Sequence, residues 1–228
     1  MSSAIAGYLL RDEIDEFIYI HIDDQHPDTL RFNADCEKVL GKPILTLQSR
    51  FKSVEEIVRY KKYIGGPGGY PCTSALKIKV RQAWEKENKD FQFRYVWGFD
   101  ANELARAHKM EVDYHKHEHA FPLMDKYLVK EDVHGLLKRL GIQRPAMYDL
   151  GFKNNNCLGC LKGGIGYWNK IRIYFPEVFA SRAKLEHIIG ASCINGVYLD
   201  ELDPERGNYP EEVEQECGMM CVFALNGW

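Results

Sequence analysis

Six consecutive residues, Phe17-Ile18-Tyr19-Ile20-His21-Ile22, set the strongest limit on how this chain folds. The run is apolar, rich in β-branched and aromatic side chains and one strand long, and it stops abruptly at Asp23-Asp24-Gln25-His26-Pro27. A strand apolar at nearly every position is buried on both faces, the condition of a parallel strand between two layers of helix. The flanking stretches supply such helices. Ala4 to Asp15 carries Ile5, Leu9 and Leu10 on one face, with Ser2 or Ser3 as cap, and Asp28 or Thr29 opens a helix that reaches Val39-Leu40 and stops at Gly41.

The alternation continues. Pro43 to Leu47 reads as a strand, and Ser53 with Glu56 is spaced as a capping box for a helix reaching Tyr63. Gly65-Gly66-Pro67-Gly68-Gly69 then breaks the chain as a flexible loop. Leu76 to Asn88 reads as helix, Phe91 to Trp97 as a third strand ended by Gly98, and Glu131 to Leu140 as an amphipathic helix ended by Gly141. Strands separated by helices predict an α/β fold, a parallel twisted sheet with helices on both faces. Tyr148 to Gly166 reads as a loop rich in Asn, Cys and Gly, Pro176 to Ile189 as a late helix, and the rest as an irregular tail. The expected organisation is an α/β domain over 1–145 and a Cys-rich segment over 146–228 packed on it.

A chain of 228 residues, 45% hydrophobic and 28% charged, buries a substantial core and is neither disordered nor fibrous. Its net charge of -3 argues against a dedicated nucleic-acid binder. The apolar run Ala4 to Leu10 is too short for a signal peptide or a membrane span, so the expectation is a cytoplasmic protein without a membrane partner. In that compartment seven cysteines are core thiols, metal ligands or nucleophiles rather than a disulfide framework.

Ligands of open α/β sheets collect where strands end, because backbone amides and helix N-termini there present positive potential. Three ends carry suitable residues: Asp23 with Asp28 and Thr29; Pro71-Cys72-Thr73 with Lys77 and Lys79; Gly98 with Glu103 and Arg106. Each also has a plain reading as a cap, a solvated face or a turn. Their succession, followed by Tyr148-x-x-Gly151-Phe152, Cys157-Leu158-Gly159-Cys160, Pro176-Glu177, Leu185-Glu186 and Glu216-Cys217-Gly218, resembles the phosphoadenosine phosphosulfate reductase branch of the PP-loop adenine nucleotide α-hydrolase superfamily.

The resemblance covers nearly the whole chain and implies an adenine nucleotide-binding site for ATP, adenosine phosphosulfate or phosphoadenosine phosphosulfate. Ser2 and Ser3 would stand where the family has the end of its phosphate-binding Ser-Gly-Gly-x-x-Ser loop, with Asp23, Thr29, Lys77, Gly98, Glu103 and Arg106 completing the nucleotide site. The family's first strand, which precedes that loop, is not in this sequence, and a misassigned start or a truncated chain is the expected reason.

Cys157-x-x-Cys160 is the strongest local signal, because two thiolates at this spacing face one ion while the glycines let amides turn toward sulfur. Cys217-x-x-x-Cys221 would complete a zinc site, or Cys72 would join a 4Fe–4S cluster, as the resemblance suggests; spacing does not decide between them. Cys217 has a second role open to it, as the nucleophile that attacks the sulfate sulfur. Cys36 and Cys193 are expected in the core. His115-Lys116-His117-Glu118-His119 reads as a solvated strand or loop rather than a metal site.

The function expected is a phosphoadenosine phosphosulfate reductase-like enzyme, an oxidoreductase or transferase acting on an adenylylated sulfur compound, with thioredoxin or glutaredoxin as electron donor. The alternatives are an ATP-dependent adenylating sulfurtransferase acting on nucleic acid, and a non-catalytic metal-binding accessory protein. A homodimer is compatible with all three.

Overall fold

The structure, a computed structural model, describes residues 1–207. Its first part runs α1 (Ser2–Leu9), β1 (Phe17–His21), α2 (Asp28–Leu40), β2 (Ile44–Gln48) and α3 (Val54–Lys61). Then come α4 (Pro71–Thr73), a π turn (Ser74–Ile78) closed by a bond from the Lys79 amide to the Ser74 carbonyl, α5 (Lys79–Glu87), β3 (Arg94–Val96), α6 (Leu104–Asp113) and β4 (Glu118–Ala120). Five α-helices follow, α7 (Pro122–Asp125), α8 (Lys130–Arg139), α9 (Ala146–Asp149), α10 (Ile165–Tyr174) and α11 (Pro176–Ile189), and then a 3-10 turn (Leu199–Glu201). None of the described helices is long and apolar enough to cross a membrane.

The local punctuation acts as its chemistry dictates. Ser53 Oγ accepts from the Glu56 amide at 3.2 Å and so satisfies one orphan donor of α3, while Glu56 Oε2 accepts at 2.7 Å from the amide of Lys52, one residue before the cap, and not from Ser53 as a full capping box would have it. Gly41 and Gly190 end α2 and α11 at φ +68° and +73°, a conformation that glycine adopts without a Cβ penalty. Helix α1 is shorter than Ala4 to Asp15, because Lys42 Nζ takes the carbonyls of Arg11 and Ile14, at 2.9 and 2.5 Å, and turns the chain toward β1.

The fold is mixed α/β with parallel strands, but the described strands form two separate pairs and not one continuous sheet. β1 runs parallel to β2, from Phe17 opposite Ile44 to His21 opposite Gln48. β3 runs parallel to β4, from Arg94 opposite Glu118 to Val96 opposite Ala120. The third strand is shorter than Phe91 to Trp97 because β4 starts only after the turn that follows α6, which leaves residues before Phe93 without a ladder partner.

One core lies beneath both pairs. Ile5 and Ala6 of α1 pack with Phe32, Leu123, Leu128, Val133, Leu136 and Leu137, and Phe17, Ile44 and Val96 from the two strand pairs close against them. Burial of each large aliphatic side chain contributes about 1.5–3 kcal/mol. A second core, Ile22, Val54, Ile57, Val58, Ile64, Leu76, Leu161 and Leu185, also takes in Cys157. Met147, Phe152, Trp168, Ile171, Phe179 and Leu199 form a third, built entirely from residues after 145. The C-terminal segment thus has its own core and lends Leu161 and Leu185 to the second.

Candidate functional site

Within each pair the parallel strands place their C-terminal ends on one side, and the chain assembles polar groups at both of these ends. At the end of β3, Gly98 lies against the start of α1: a Cβ on Gly98 would stand 2.2 Å from the Ser3 amide nitrogen and 2.5 Å from the Ser2 carbonyl carbon. Those neighbours are backbone and cannot swing away, so only glycine fits. Two of the expected nucleotide-site elements, Ser2-Ser3 and Gly98, are thereby in contact although about 95 residues separate them in sequence.

At the end of β1 the largely buried side chain of Asp24 organises a second group. Its carboxylate accepts from the Val54 amide at 2.6 Å, at the start of α3, and pairs with Arg182 of α11, while its carbonyl accepts from the Leu158 amide at 2.7 Å. Arg182 also reaches the Gly159 carbonyl at 3.4 Å, so the Cys157-Leu158-Gly159-Cys160 turn is held from both sides. Tyr167 clamps it from a third: its hydroxyl donates to the Cys157 carbonyl at 2.9 Å and accepts from the Cys160 amide at 2.8 Å. Gly159 sits at φ +65°, which makes the turn possible.

Asp23 faces outward beside this group, with Gln48 Nε2 3.2 Å and His21 Nε2 3.4 Å from its carboxylate. Thr29 is buried at the start of α2 and its hydroxyl accepts from Asn155 Nδ2 at 3.2 Å. Next to Asn155, the Asn154 side chain accepts from Lys130 Nζ at 2.7 Å. Burial lowers the Lys130 pKa against the opposing pull of Asp100 and Glu103, so this lysine joins the β3 end to the Asn154-Asn155 segment. The two strand ends form one rim.

The cysteines divide by environment. Burial pushes the Cys157 thiol up to about 11, against the lowering influence of Lys77, and raises the Cys72 thiol as well, with Cys160 close enough to add to both shifts. Cys36 lies in the first core, and burial drives its thiol up to about 11. Cys193 is only half-buried: it packs against both the second and third cores, its amide donates to Glu186, and burial followed by that carboxylate raises its thiol pKa strongly. Cys217 and Cys221 lie outside the described residues.

Among the described residues no group of three or more His, Cys, Asp or Glu side chains is placed to hold a metal ion. Cys72, Cys157 and Cys160 share a neighbourhood, yet as placed they do not make a metal site by themselves. The electrostatic influence of Lys77 on both Cys72 and Cys157 puts this exposed lysine beside them, on the π turn that follows Cys72.

Two expected nucleotide residues turn to each other. Glu103 and Arg106 form an ion pair within α6 and its cap, and the Arg106 guanidinium stands 4.5 Å over the Phe99 ring. The histidines of the second pair have partners of another kind: Tyr95, Trp97, Phe99, His119 and Phe121 stack as a ladder across β3 and β4, with His117 edge-on to Tyr95, while His115 is exposed. His117 and His119 are therefore half-buried against aromatic rings. Arg182, Tyr167, Lys130 and Asn155 are site residues that sequence reasoning missed; only the Asn-rich run before Cys157 offered a signal for one of them.

Protein-family models, curated proteins and solved structures were compared with this chain, and none of them matches it.

Proposed function

We propose that this chain is a phosphoadenosine phosphosulfate reductase-like enzyme that holds an adenylylated sulfur compound at the rim formed by the ends of β1 and β3 and acts on it through cysteine. The observation that carries the reading is the backbone contact of Gly98 with Ser2-Ser3 on the same rim as Thr29, Asn155 and the Cys157–Cys160 turn. Amides at the start of α1 favour a phosphate or sulfate oxygen, and glycine at residue 98 lets the end of β3 come directly against them.

In this class of reaction a thiolate attacks the sulfate sulfur and the adenosine phosphate leaves. A dithiol from thioredoxin or glutaredoxin then releases sulfite and is oxidised to its disulfide. Cys217 is the nucleophile this reading assigns. Cys157 is unsuited to the role, because a thiol with pKa near 11 is about 1% or less thiolate at neutral to mildly alkaline pH. A zinc ion or 4Fe–4S cluster belongs to the proposal only with ligands from Cys72 and Cys221 beside Cys157 and Cys160, which leaves Cys217 to act as the nucleophile, and no step depends on it.

The test supplies adenosine phosphosulfate or phosphoadenosine phosphosulfate with thioredoxin to the full chain. Sulfite release abolished by Cys217→Ser is the expected result. Release of pyrophosphate from ATP instead would give the chain to adenylating chemistry, towards which the Cys72-Thr73-x-x-x-Lys77 element leans. Binding of neither nucleotide would overturn the reading.

A further inference from the structure

A cavity of about 790 Å³ opens beside the Cys157–Cys160 turn. Its wall holds Cys160, the Gly163-Gly164-Ile165-Gly166 loop and four basic side chains, Lys153, Lys162, Lys170 and Arg206, and among the described residues it holds no carboxylate. Basic groups on an ordinary surface are interspersed with acids, and here four converge on one concave space whose described lining contributes none.

The wall is built, not a chance of loose chains. Asn169 of α10, 2% exposed, donates to the carbonyls of Asp203 and Arg206 at 2.9 and 2.8 Å, which fixes the backbone that carries Arg206. Gly207 then meets the loop so closely that a Cβ on it would lie 2.3 Å from the Gly166 amide nitrogen. Lys170 Nζ is oriented by the Gly151 carbonyl at 2.5 Å, and Lys162 Nζ stands 5.2 Å over the Tyr70 ring. On the loop side, Gly163 packs on the Tyr167 ring, whose hydroxyl clamps the cysteine turn, so cavity and turn are one rigid unit.

The loop ends in the N-terminus of α10, a helix of ten residues whose cap, Gly164, offers no side-chain bond and whose first turn has no acid. The helix dipole adds to the four cations in favouring negative charge at that spot. We propose that this cavity, which meets the strand-end rim at Asn154 and Cys160, is a further anion site and that it takes a compact phosphorylated ligand of two or more negative charges. The proposal does not depend on the nucleotide reading: it stands on the cavity and its lining.

The probe is inorganic pyrophosphate, titrated calorimetrically into the full chain, with sulfate in a parallel arm. Binding that weakens about tenfold for each of Lys153→Gln and Arg206→Gln is expected, since each variant removes one charge-assisted bond. Both side chains are exposed, so the melting temperature should not move, and Lys86→Gln on α5 should leave binding unchanged. Sulfate should bind more weakly than pyrophosphate, because it presents fewer charges to the same cations. Pyrophosphate affinity indifferent to both cavity variants would overturn the proposal. So would binding that emerges only when Glu211, Glu212, Glu214 and Glu216 are all changed to glutamine, because the cavity would then belong to the chain's own acidic segment.

Discussion

Each strand pair ends beside an ion pair between an arginine and a carboxylate, and the two pairs have opposite consequences. At the end of β1, Asp24 and Arg182 have side chains 10% and 5% exposed; beyond β3, Glu103 and Arg106 are 25% and 66% exposed. The first pair ties three elements together, because Asp24 also caps α3 and Arg182 also holds the Gly159 carbonyl. The second joins residues three apart in one chain segment and rests on the Phe99 ring. The same two charged groups act as a structural joint where water is excluded, and as little more than a surface decoration where it is not.

The sharpest way to break this comparison is Arg182→Leu. It leaves the Asp24 carboxylate buried with the Val54 amide and without its cation, and breaking a buried pair by removing one partner costs about 3–5 kcal/mol. Thermal or urea unfolding should show that loss. Because Arg182 also braces the cysteine turn, the thiol of Cys157, now 9% exposed, should become reactive to an alkylating reagent under native conditions. A variant with unchanged stability and a still-protected Cys157 would mean that the joint lies elsewhere.

A buried group without a partner sharpens the contrast. His134 of α8 is 1% exposed, has no hydrogen-bond partner for either ring nitrogen among the described residues, and meets the Tyr148 ring edge-on at 4.7 Å. Burial, followed by Arg144 and Lys130, lowers its pKa from 6.5 to about 4, so the folded state holds it neutral. Between those values the unfolded chain binds more protons than the folded one, and stability must fall as pH drops from 6.5 to 4. The loss reaches about 3 kcal/mol at about 1.4 kcal/mol per pH unit. Unfolding at a series of pH values should trace that decline, and His134→Phe should flatten it; an equally steep decline in the variant would assign it to other groups.

How much of this was legible in the residues follows the range of the interactions. The strand Phe17 to His21, the Ser53 cap of α3 and the glycine stops are local chemistry, and a single stretch of sequence displays them. The Cys157–Cys160 turn was visible for the same reason. Arg182 was not: on α11 it has the look of any helical arginine, and its partner is 158 residues away. Helix α10 was hidden because Trp168, Asn169 and Ile171 are all buried, so no polar face gives it a helical period. The aromatic ladder is written in the alternation Phe93, Tyr95, Trp97, Phe99, yet its other half, His117, His119 and Phe121, depends on a register that only pairing with a second strand reveals.

The smallest expected effect is also the most direct check on the exposed side of the comparison. Arg106→Gln removes the charge facing Glu103 and keeps most of the side chain that covers Phe99. An exposed pair of this kind gains little Coulomb energy in water and loses side-chain entropy in holding one geometry, so the change in stability should stay within about 1 kcal/mol and shrink further in salt. If the nucleotide site reaches α6, the same substitution should still weaken nucleotide binding, because an arginine that is idle in folding can be a contact for phosphate. Unchanged stability with weakened binding would place Arg106 at the ligand, whereas a loss comparable to that of Arg182→Leu would erase the distinction between the two pairs.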